Sequence, residues 1–277
     1  MRLLKQLVTV AAVAFIGGAV AGAVQDVWYL TLIAGLATAA LAVPAYTWIV
    51  GRTERRAVTE LAAQGAAFAT VRGMLIGTAM FAVVIGHIYL LGGYHVEGFG
   101  SLTGAVGILG FMAAAAVTEE LLFRGVLFRI IEERIGTYLA LALTGIVFGL
   151  MHMANPDANL WGALAIAIEA GGMLAAAYAA TRNLWVPIGL HFAWNFAQGG
   201  IFSTQVSGNG DSEGLLESST SGPVLLSGGD FGPEASGYAV LAGAVLTVVF
   251  MWLAHRRGHV VPRRGRDRAA ATATLAQ

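Results

Sequence analysis

The sequence contains no cysteine, a single lysine (Lys5) and few charged residues of either sign. The absence of thiols excludes thiol catalysis, thiolate metal sites and a disulfide-stapled secreted scaffold. Charged residues make up 12% of the 277 positions, about half of the quarter that is usual in soluble domains. A soluble protein of this size would lack the polar surface to cover its exterior, so lipid is the expected solvent.

What the chain has in excess is apolar residues. The AVILMFWYC set accounts for 57% of the sequence, and 37 further residues are glycine; this composition also excludes intrinsic disorder. Apolar stretches of about 20 residues, the length that crosses the hydrocarbon core, recur along the chain. They predict an all-α polytopic membrane protein with eight transmembrane helices, at about 7–24, 27–50, 73–92, 102–122, 137–153, 161–180, 184–203 and 237–254.

The sixteen basic and sixteen acidic residues give zero net charge, but the two signs are segregated. With the N-terminus inside, every Lys and Arg falls on one side of the eight-helix layout. The loops on the other side carry charged residues of one sign only: Asp26, Glu97, Asp157, Asp211, Glu213, Glu217, Asp230 and Glu234. Because loops rich in Lys and Arg remain in the cytoplasm, this pattern predicts that both termini are cytoplasmic.

The choice of basic residue and the termini add three expectations. The near-absence of lysine beside many arginines, with abundant Ala and Gly, indicates a GC-rich prokaryotic genome and hence a multi-pass protein of the inner (plasma) membrane. Residues 1–256 are expected to form one transmembrane domain. The tail at 257–277 is basic and then Ala/Thr-rich, and it is expected to be disordered near anionic lipid headgroups.

Two segments have their own interpretations. The Gly/Ser-rich stretch 204–236 is expected to be a flexible loop outside the core. At the N-terminus, Arg2, Lys5, an apolar run and the small residues 19–21 also resemble a cleavable signal peptide. The apolar run is longer than the roughly 7–15 residues usual in such peptides, which favours an uncleaved first helix.

Ionisable residues inside the predicted spans are costly in lipid, so each is a functional hypothesis. There are six of them: His87, Glu119, Glu120, His152, Glu169 and His191. His87 lies near the outer end of its span and is expected at the membrane interface. Glu169 lies near mid-span and is expected to be either a structural partner or a second polar element of a cavity.

The first of three motifs is the run EELLFR, residues 119–124. Glu120 and Arg124 are four residues apart with the acid N-terminal, the favourable order for an ion pair on one helix face. Glu119 lies roughly 100° further around the helix, so it can face a different direction and act on something else. The competing interpretation is a helix end that leaves the membrane with ordinary interfacial charges, since Arg129 and Glu132 follow.

The other two motifs are FGLMH, from Phe148 to His152, and HFAWN, from His191 to Asn195. His191 and Asn195 project from one helix face, and an asparagine there can orient the ring or donate to an oxyanion. A single such histidine is more often a packing or interfacial residue. Two histidines and a carboxylate pair on three separate spans favour a common site.

The order EExxxR, FxxxH, HxxxN resembles the CPBP family, the CAAX prenyl proteases and bacteriocin-processing enzymes also described as the abortive-infection family. The motifs are complete here and cover about 77 residues. The resemblance implies an intramembrane endopeptidase whose active site opens towards the cytosol. It also implies peptide or lipid-anchored protein substrates and membrane lipid as partners; we expect no nucleic-acid partner.

The resemblance assigns a role to each motif residue. Glu119 would activate water together with His152, and His191 and Asn195 would stabilise the oxyanion. The remaining motif residues, Glu120, Arg124 and Phe148, would support the geometry of the site.

The motif residues allow two interpretations of metal dependence. Glu119, His152 and His191 would make a His2Glu set like that of catalytic zinc sites. A helical HExxH motif is absent, however, and Asn195 is a poor zinc ligand. We therefore expect a glutamate-dependent mechanism with no cofactor, with zinc as the alternative.

Two functions of other classes compete with proteolysis. One is a non-catalytic membrane scaffold or immunity protein of the same fold. The other is a proton-coupled transporter that uses Glu119, His152 and His191 as a relay, although no internal repeat of the kind common in transporters is evident.

Overall fold

The computed structural model describes residues 1–263, so the part of the predicted tail from 264 to 277 lies outside the described residues. The order of helices and strands is α1 (Arg2–Ala23), α2 (Trp28–Glu54), α3 (Ala66–Leu90), β1 (Tyr94–Phe99), α4 (Leu102–Glu120), α5 (Arg129–Ile135), α6 (Thr137–Met151), α7 (Leu160–Ile166), α8 (Met173–Thr181), α9 (Trp185–Asn195), β2 (Leu216–Thr220), α10 (Val224–Ser227) and α11 (Gly237–Arg256). The expectation of an all-α polytopic membrane protein is confirmed, with one small two-stranded antiparallel sheet added.

Three of the helices continue through wider π-helical turns. These turns are Leu121–Phe128 between α4 and α5, Ala167–Gly172 between α7 and α8, and Phe196–Ile201 after α9. The first joins α4 to α5 in one helical run of 34 residues, Leu102–Ile135. A π-helical turn inserts a residue into the helix, so it changes the face on which the later side chains lie.

Seven helical runs within residues 1–263 are long and apolar enough to cross a membrane. They correspond to the predicted spans one to six and eight. The predicted span at 184–203 is a shorter helix, eleven residues of α9 followed by six of π-helix. Most of its residues are buried among the other helices, so it lies inside the bundle rather than against lipid.

The helices differ in how much they are surrounded by protein. Only 11% of the most apolar stretch of α1 is buried by protein, against 72% for that of the run Leu160–Thr181. The outer helices expose large apolar side chains, among them Phe15, Leu36, Trp48, Leu75 and Val248. An apolar exterior around a helical bundle is the arrangement that lipid requires.

The buried helix α9 packs against α3 through glycines. A Cβ atom added at Gly73 or Gly77 of α3 would lie 2.2 or 2.3 Å from a carbonyl oxygen of α9, and one at Gly189 of α9 would lie 2.2 Å from the Thr70 carbonyl. Small residues at these positions let the two backbones approach closely. This contact fixes the position of α9, the helix that carries His191 and Asn195.

The two ends of the described chain lie at the same end of the bundle. Arg2 forms an ion pair with Glu133, and the Val261 amide donates to the Thr137 hydroxyl over 2.8 Å. Other ion pairs at this end join Glu54 to Arg129 and Glu132 to Arg182. This is the arrangement expected for a chain whose two termini face one side of the membrane.

The expectation that 204–236 is a flexible loop outside the core is wrong. Strand β2 pairs antiparallel with β1, from Tyr94 opposite Thr220 to Phe99 opposite Leu216. Phe231 is fully buried and Glu234 is 1% exposed. The Gly/Ser composition misled because those residues make tight turns between short anchored pieces, with positive φ at Gly208, Gly228 and Gly232 among others.

Candidate active site

The motif residues lie at or near the C-terminal ends of three helices, α4, α6 and α9. Glu119 and Glu120 end α4, directly before the π-helix Leu121–Phe128 that carries Arg124. Phe148 lies in α6 and His152 directly follows it. His191 and Asn195 lie on α9. The competing interpretation of the first motif, a helix end with ordinary interfacial charges, does not fit Glu120 and Arg124, because both are buried.

Glu120, Arg124 and His191 form one buried hydrogen-bonded cluster. Arg124 Nη1 donates to Glu120 Oε1 over 2.7 Å, and His191 Nδ1 lies 3.0 Å from the same oxygen. Arg124 Nη2 also donates to the Ala170 carbonyl over 2.9 Å. Glu120 is 0% and Arg124 2% exposed, so Arg124 and Oε1 of Glu120 satisfy each other rather than contact water, while Oε2 of Glu120 has no partner within residues 1–263.

Phe148 packs at the centre of the motif residues. The Arg124 guanidinium carbon lies 4.7 Å from its ring centre, within the range of a cation–π contact. The ring centres of His152 and His191 lie 4.8 and 6.2 Å away. Phe148 therefore separates the two histidines and places both beside one aromatic ring.

His152 and His191 are held by their Nδ1 atoms. His152 Nδ1 lies 2.8 Å from the Phe148 carbonyl oxygen, and since a carbonyl only accepts, Nδ1 must carry the hydrogen. The neutral His152 ring therefore has its lone pair on Nε2. When Glu120 is ionised, it accepts the hydrogen of Nδ1 and fixes the same tautomer for His191. A carboxylate in this position also stabilises the protonated ring.

Glu119 has surroundings unlike those of Glu120. Its side chain is half-buried, and its Oε2 atom is buried without a hydrogen-bond partner within residues 1–263. In the same part of the chain, no hydrogen bond joins Glu119 to His152. The structure thus brings Glu120, Arg124, Phe148 and His191 into direct contact, with His152 beside Phe148. Glu119 and Asn195 make no side-chain hydrogen bond within residues 1–263.

The metal-ligand set does not assemble in this geometry. No group of three His, Asp or Glu side chains in the described part of the chain is placed to hold one ion. Glu119, His152 and His191 therefore do not fit zinc as they stand.

A narrow cavity with room for about one water molecule adjoins the cluster. Its lining includes His191 and Asn195 together with Glu169, Trp194 and Glu234. Glu169 was expected as a possible polar element of a cavity, and it lies there. Glu234 was missed, since it sits in a Gly/Ser-rich segment whose only signal of burial is the neighbouring Phe231 and Pro233.

The cavity extends away from the end of the bundle that carries the termini. Its lining continues to Ser207 and Glu234, which belong to the segment that follows α9. The resemblance implied an opening towards the cytosol, the side expected for both termini. In the structure the polar lining continues in the other direction, because segment 204–236 folds onto the helices there.

His87 is separate from this site. It is exposed near the end of α3, and its ring stacks on that of Tyr238 with 5.6 Å between centres. Its position agrees with the expected interfacial role.

The fold and the site define a polytopic helical membrane protein with a buried Glu–Arg–His cluster. Residues 100–197, about a third of the chain, match the family model of Rce1-like proteins, described as type II CAAX prenyl endopeptidase Rce1-like. The matched region contains all three motifs, and it supports both the resemblance to the CPBP family and a CAAX protease-like peptidase. No curated protein and no solved structure matches the chain significantly.

Proposed function

We propose that the protein is an intramembrane glutamic endopeptidase of a prokaryotic inner membrane, with cytoplasmic termini. Its substrate is a membrane-associated peptide or a lipid-anchored protein. The family match over residues 100–197 supports the peptidase class, and the apolar exterior supports a substrate that approaches from the bilayer.

The mechanism rests on a difference in hydrogen bonding between two adjacent carboxylates. Glu120 accepts hydrogen bonds from Arg124 and His191, whereas Glu119 is half-buried and unbound within residues 1–263. A general base must be free to take a proton and must be reachable by water. Glu119 meets both conditions, and Glu120 is committed to holding Arg124 and His191.

Hydrolysis begins with a water molecule held between Glu119 and His152. Glu119 takes a proton from the water as its oxygen attacks the peptide carbonyl carbon. The His152 ring, fixed through Nδ1 on the Phe148 carbonyl, presents Nε2 as an acceptor for the second hydrogen of that water. Within residues 1–263 no hydrogen bond joins Glu119 directly to His152. A bridging water molecule is consistent with the absence of that bond.

His191 and Asn195 stabilise the oxyanion of the tetrahedral intermediate. Both line the cavity, on one face of α9. Because Nδ1 of His191 faces Glu120, Nε2 donates a hydrogen bond only when the ring is protonated. Glu120 lies against Nδ1 and orients the ring, as a buried acid does for the histidine of a serine protease.

No metal takes part in this proposal. The three candidate ligands do not converge in the geometry described for residues 1–263. Elemental analysis of purified, active protein tests this point, because stoichiometric zinc would overturn it.

The decisive test is Glu119→Gln, which keeps the size of the side chain and removes the base. Membrane peptides from cells that produce the wild-type protein or this variant are compared by mass spectrometry. We expect cleavage sites that disappear in the variant, while its thermal stability in detergent stays at the wild-type value. Asp230→Asn, at an exposed acid, is the matched control. Cleavage sites shared by the wild type and Glu119→Gln but absent from cells without the protein would sink the mechanism, and identical profiles in all three would favour the non-catalytic scaffold.

A further inference from the structure

Two buried carboxylates in the cavity have no part in the mechanism above. Glu169, on the π-helix Ala167–Gly172, is 0% exposed, and neither of its oxygens has a hydrogen-bond partner within residues 1–263. Glu234, from the 3-10 turn Pro233–Ala235, is 1% exposed and has an unpartnered Oε1. Both line the cavity. Buried acids are normally paired, because an isolated charge costs free energy in a poorly hydrated place.

A second observation indicates that the cavity receives a polar group. The indole Nε1 of Trp194 also lines it and lies close to the Glu234 carboxyl, but makes no well-formed hydrogen bond within the described residues. The cavity thus places buried acceptors beside a donor that does not fully satisfy them. The arginine of the site forms no hydrogen bond with either acid within residues 1–263, since Arg124 is bonded to Glu120 and to the Ala170 carbonyl.

The pKa of Glu234 reflects the burial of its carboxyl. Burial raises this pKa, while hydrogen bonding with Ser207 and Trp194 and the attraction of His152 oppose the rise. A positive group in the cavity would counteract the effect of burial and favour the ionised form.

Peptide hydrolysis creates such a positive group. As the tetrahedral intermediate forms, negative charge develops on the carbonyl oxygen, which His191 and Asn195 receive. For the C–N bond to break, the leaving nitrogen must take a proton, and it is transiently cationic. Groups fixed in advance where charge develops are an effective source of catalysis.

We propose that Glu169 and Glu234 form the subsite of the leaving amine, next to the oxyanion residues, and stabilise the positive charge on its nitrogen. The proposal rests on the proposed function. The proton that Glu119 takes from water passes to the leaving nitrogen, the C–N bond breaks, and the electron pair of that bond stays on nitrogen. The carboxylic acid product then transfers its proton to the amine. The amine departs from Glu169 and Glu234 as an ammonium ion.

The test compares an amide substrate with an ester. The probe is an internally quenched peptide that spans a cleavage site mapped with Glu119→Gln, and its partner is the depsipeptide with an ester at the scissile position. An alcohol leaves without becoming a cation. Glu169→Gln and Glu234→Gln should therefore slow amide hydrolysis by on the order of 10- to 100-fold and leave ester hydrolysis near the wild-type rate.

The controls separate this proposal from the proposed function. Asp230→Asn, an exposed acid of the same segment, should change neither rate, and Glu119→Gln should abolish both. Equal losses on amide and ester in the two Gln variants would overturn the amine subsite alone. Full activity of Glu119→Gln would overturn the function on which the subsite rests.

A binding measurement needs no catalysis. Leucine amide, which carries a free ammonium group, should raise the melting temperature of the wild-type protein in detergent more than N-acetyl-leucine amide does. Glu169→Gln and Glu234→Gln should abolish the difference, and Asp230→Asn should keep it. Equal shifts from the two compounds in the wild type would contradict the proposal.

Discussion

The buried pair of Glu120 and Arg124 offers the most direct test of how the site is held together. Arg124→Met keeps an unbranched apolar chain and removes the charge, so it leaves the Glu120 carboxylate, 0% exposed, without its main partner. Breaking one side of a buried ion pair costs about 3–5 kcal/mol. Loss of the contact with Phe148 adds about 0.5–2 kcal/mol.

The matched variant is the double substitution Glu120→Gln/Arg124→Met, which removes both charges. It should lose less stability than the sum of the two single variants, because no unpaired charge remains. The Phe148 contact is lost in both Arg124 variants and cancels from the comparison.

The measurement is the free energy of unfolding in denaturant for the four proteins in detergent micelles. The double-mutant cycle should give a coupling of at least about 2 kcal/mol, well above the roughly 0.3–0.5 kcal/mol within which independent sites add. Additive losses would show that Glu120 and Arg124 do not depend on each other. That result would refute a stabilising ion pair at their 2.7 Å contact.

Three further predictions concern packing, pH and topology. Gly77→Ala should cost about 1–3 kcal/mol because its Cβ would meet the backbone of α9, whereas Gly86→Ala, with open space around it, should be near neutral; thermal unfolding distinguishes them. Burial raises the pKa of Glu60, but hydrogen bonds from an arginine and a tyrosine outweigh it and lower the pKa below its usual value. Stability from this group is therefore present above its unfolded pKa of about 4.3 and lost as pH falls through the lower folded pKa, and Glu60→Gln should flatten melting temperature against pH in that range. Reporter tags at Ser212 and after Gln277 should fall on opposite sides of the membrane, and finding both on one side would contradict the topology.

The sequence allowed the membrane class, the helix positions and the motif residues to be predicted, because they depend on local composition and spacing. The pairing of Glu120 with Arg124 follows from their four-residue separation, and it is present. The contact of His191 with Glu120 could not be predicted, since it joins residues 71 positions apart. The π-helical turns also escaped prediction, because the apolar pattern does not mark an inserted residue.

The segment 204–236 shows a different limit. Glycine and serine are typical of turns, and the sequence gives no measure of whether those turns lie in water or on the helices. Phe231 and Glu234 are buried because tertiary contacts place them, including a hydrogen bond of 2.8 Å from Trp161 to the Ala235 carbonyl. Glu234 could therefore be assigned to the cavity only from the structure.

The acids of this protein divide into two groups that should respond oppositely to neutralisation. At the end of the bundle with the termini, Glu54 and Glu132 are bonded to arginines. In the cavity, Glu169 and Glu234 lack such bonds within residues 1–263. Replacing a paired acid by Gln leaves an arginine without its partner and should lower the melting temperature, whereas Gln at an unpaired buried acid removes the cost of ionising a carboxyl in a poorly hydrated place and should raise it at a pH where the acid is ionised.

Measured on the four single variants under one condition, this ranking tests the interpretation of the cavity without reference to activity. Active sites often retain groups that reduce stability, and the unpaired acids fit that pattern. If Glu169→Gln and Glu234→Gln melt below the wild type, as the paired positions should, both carboxylates have structural partners and the cavity is not built to receive a charge.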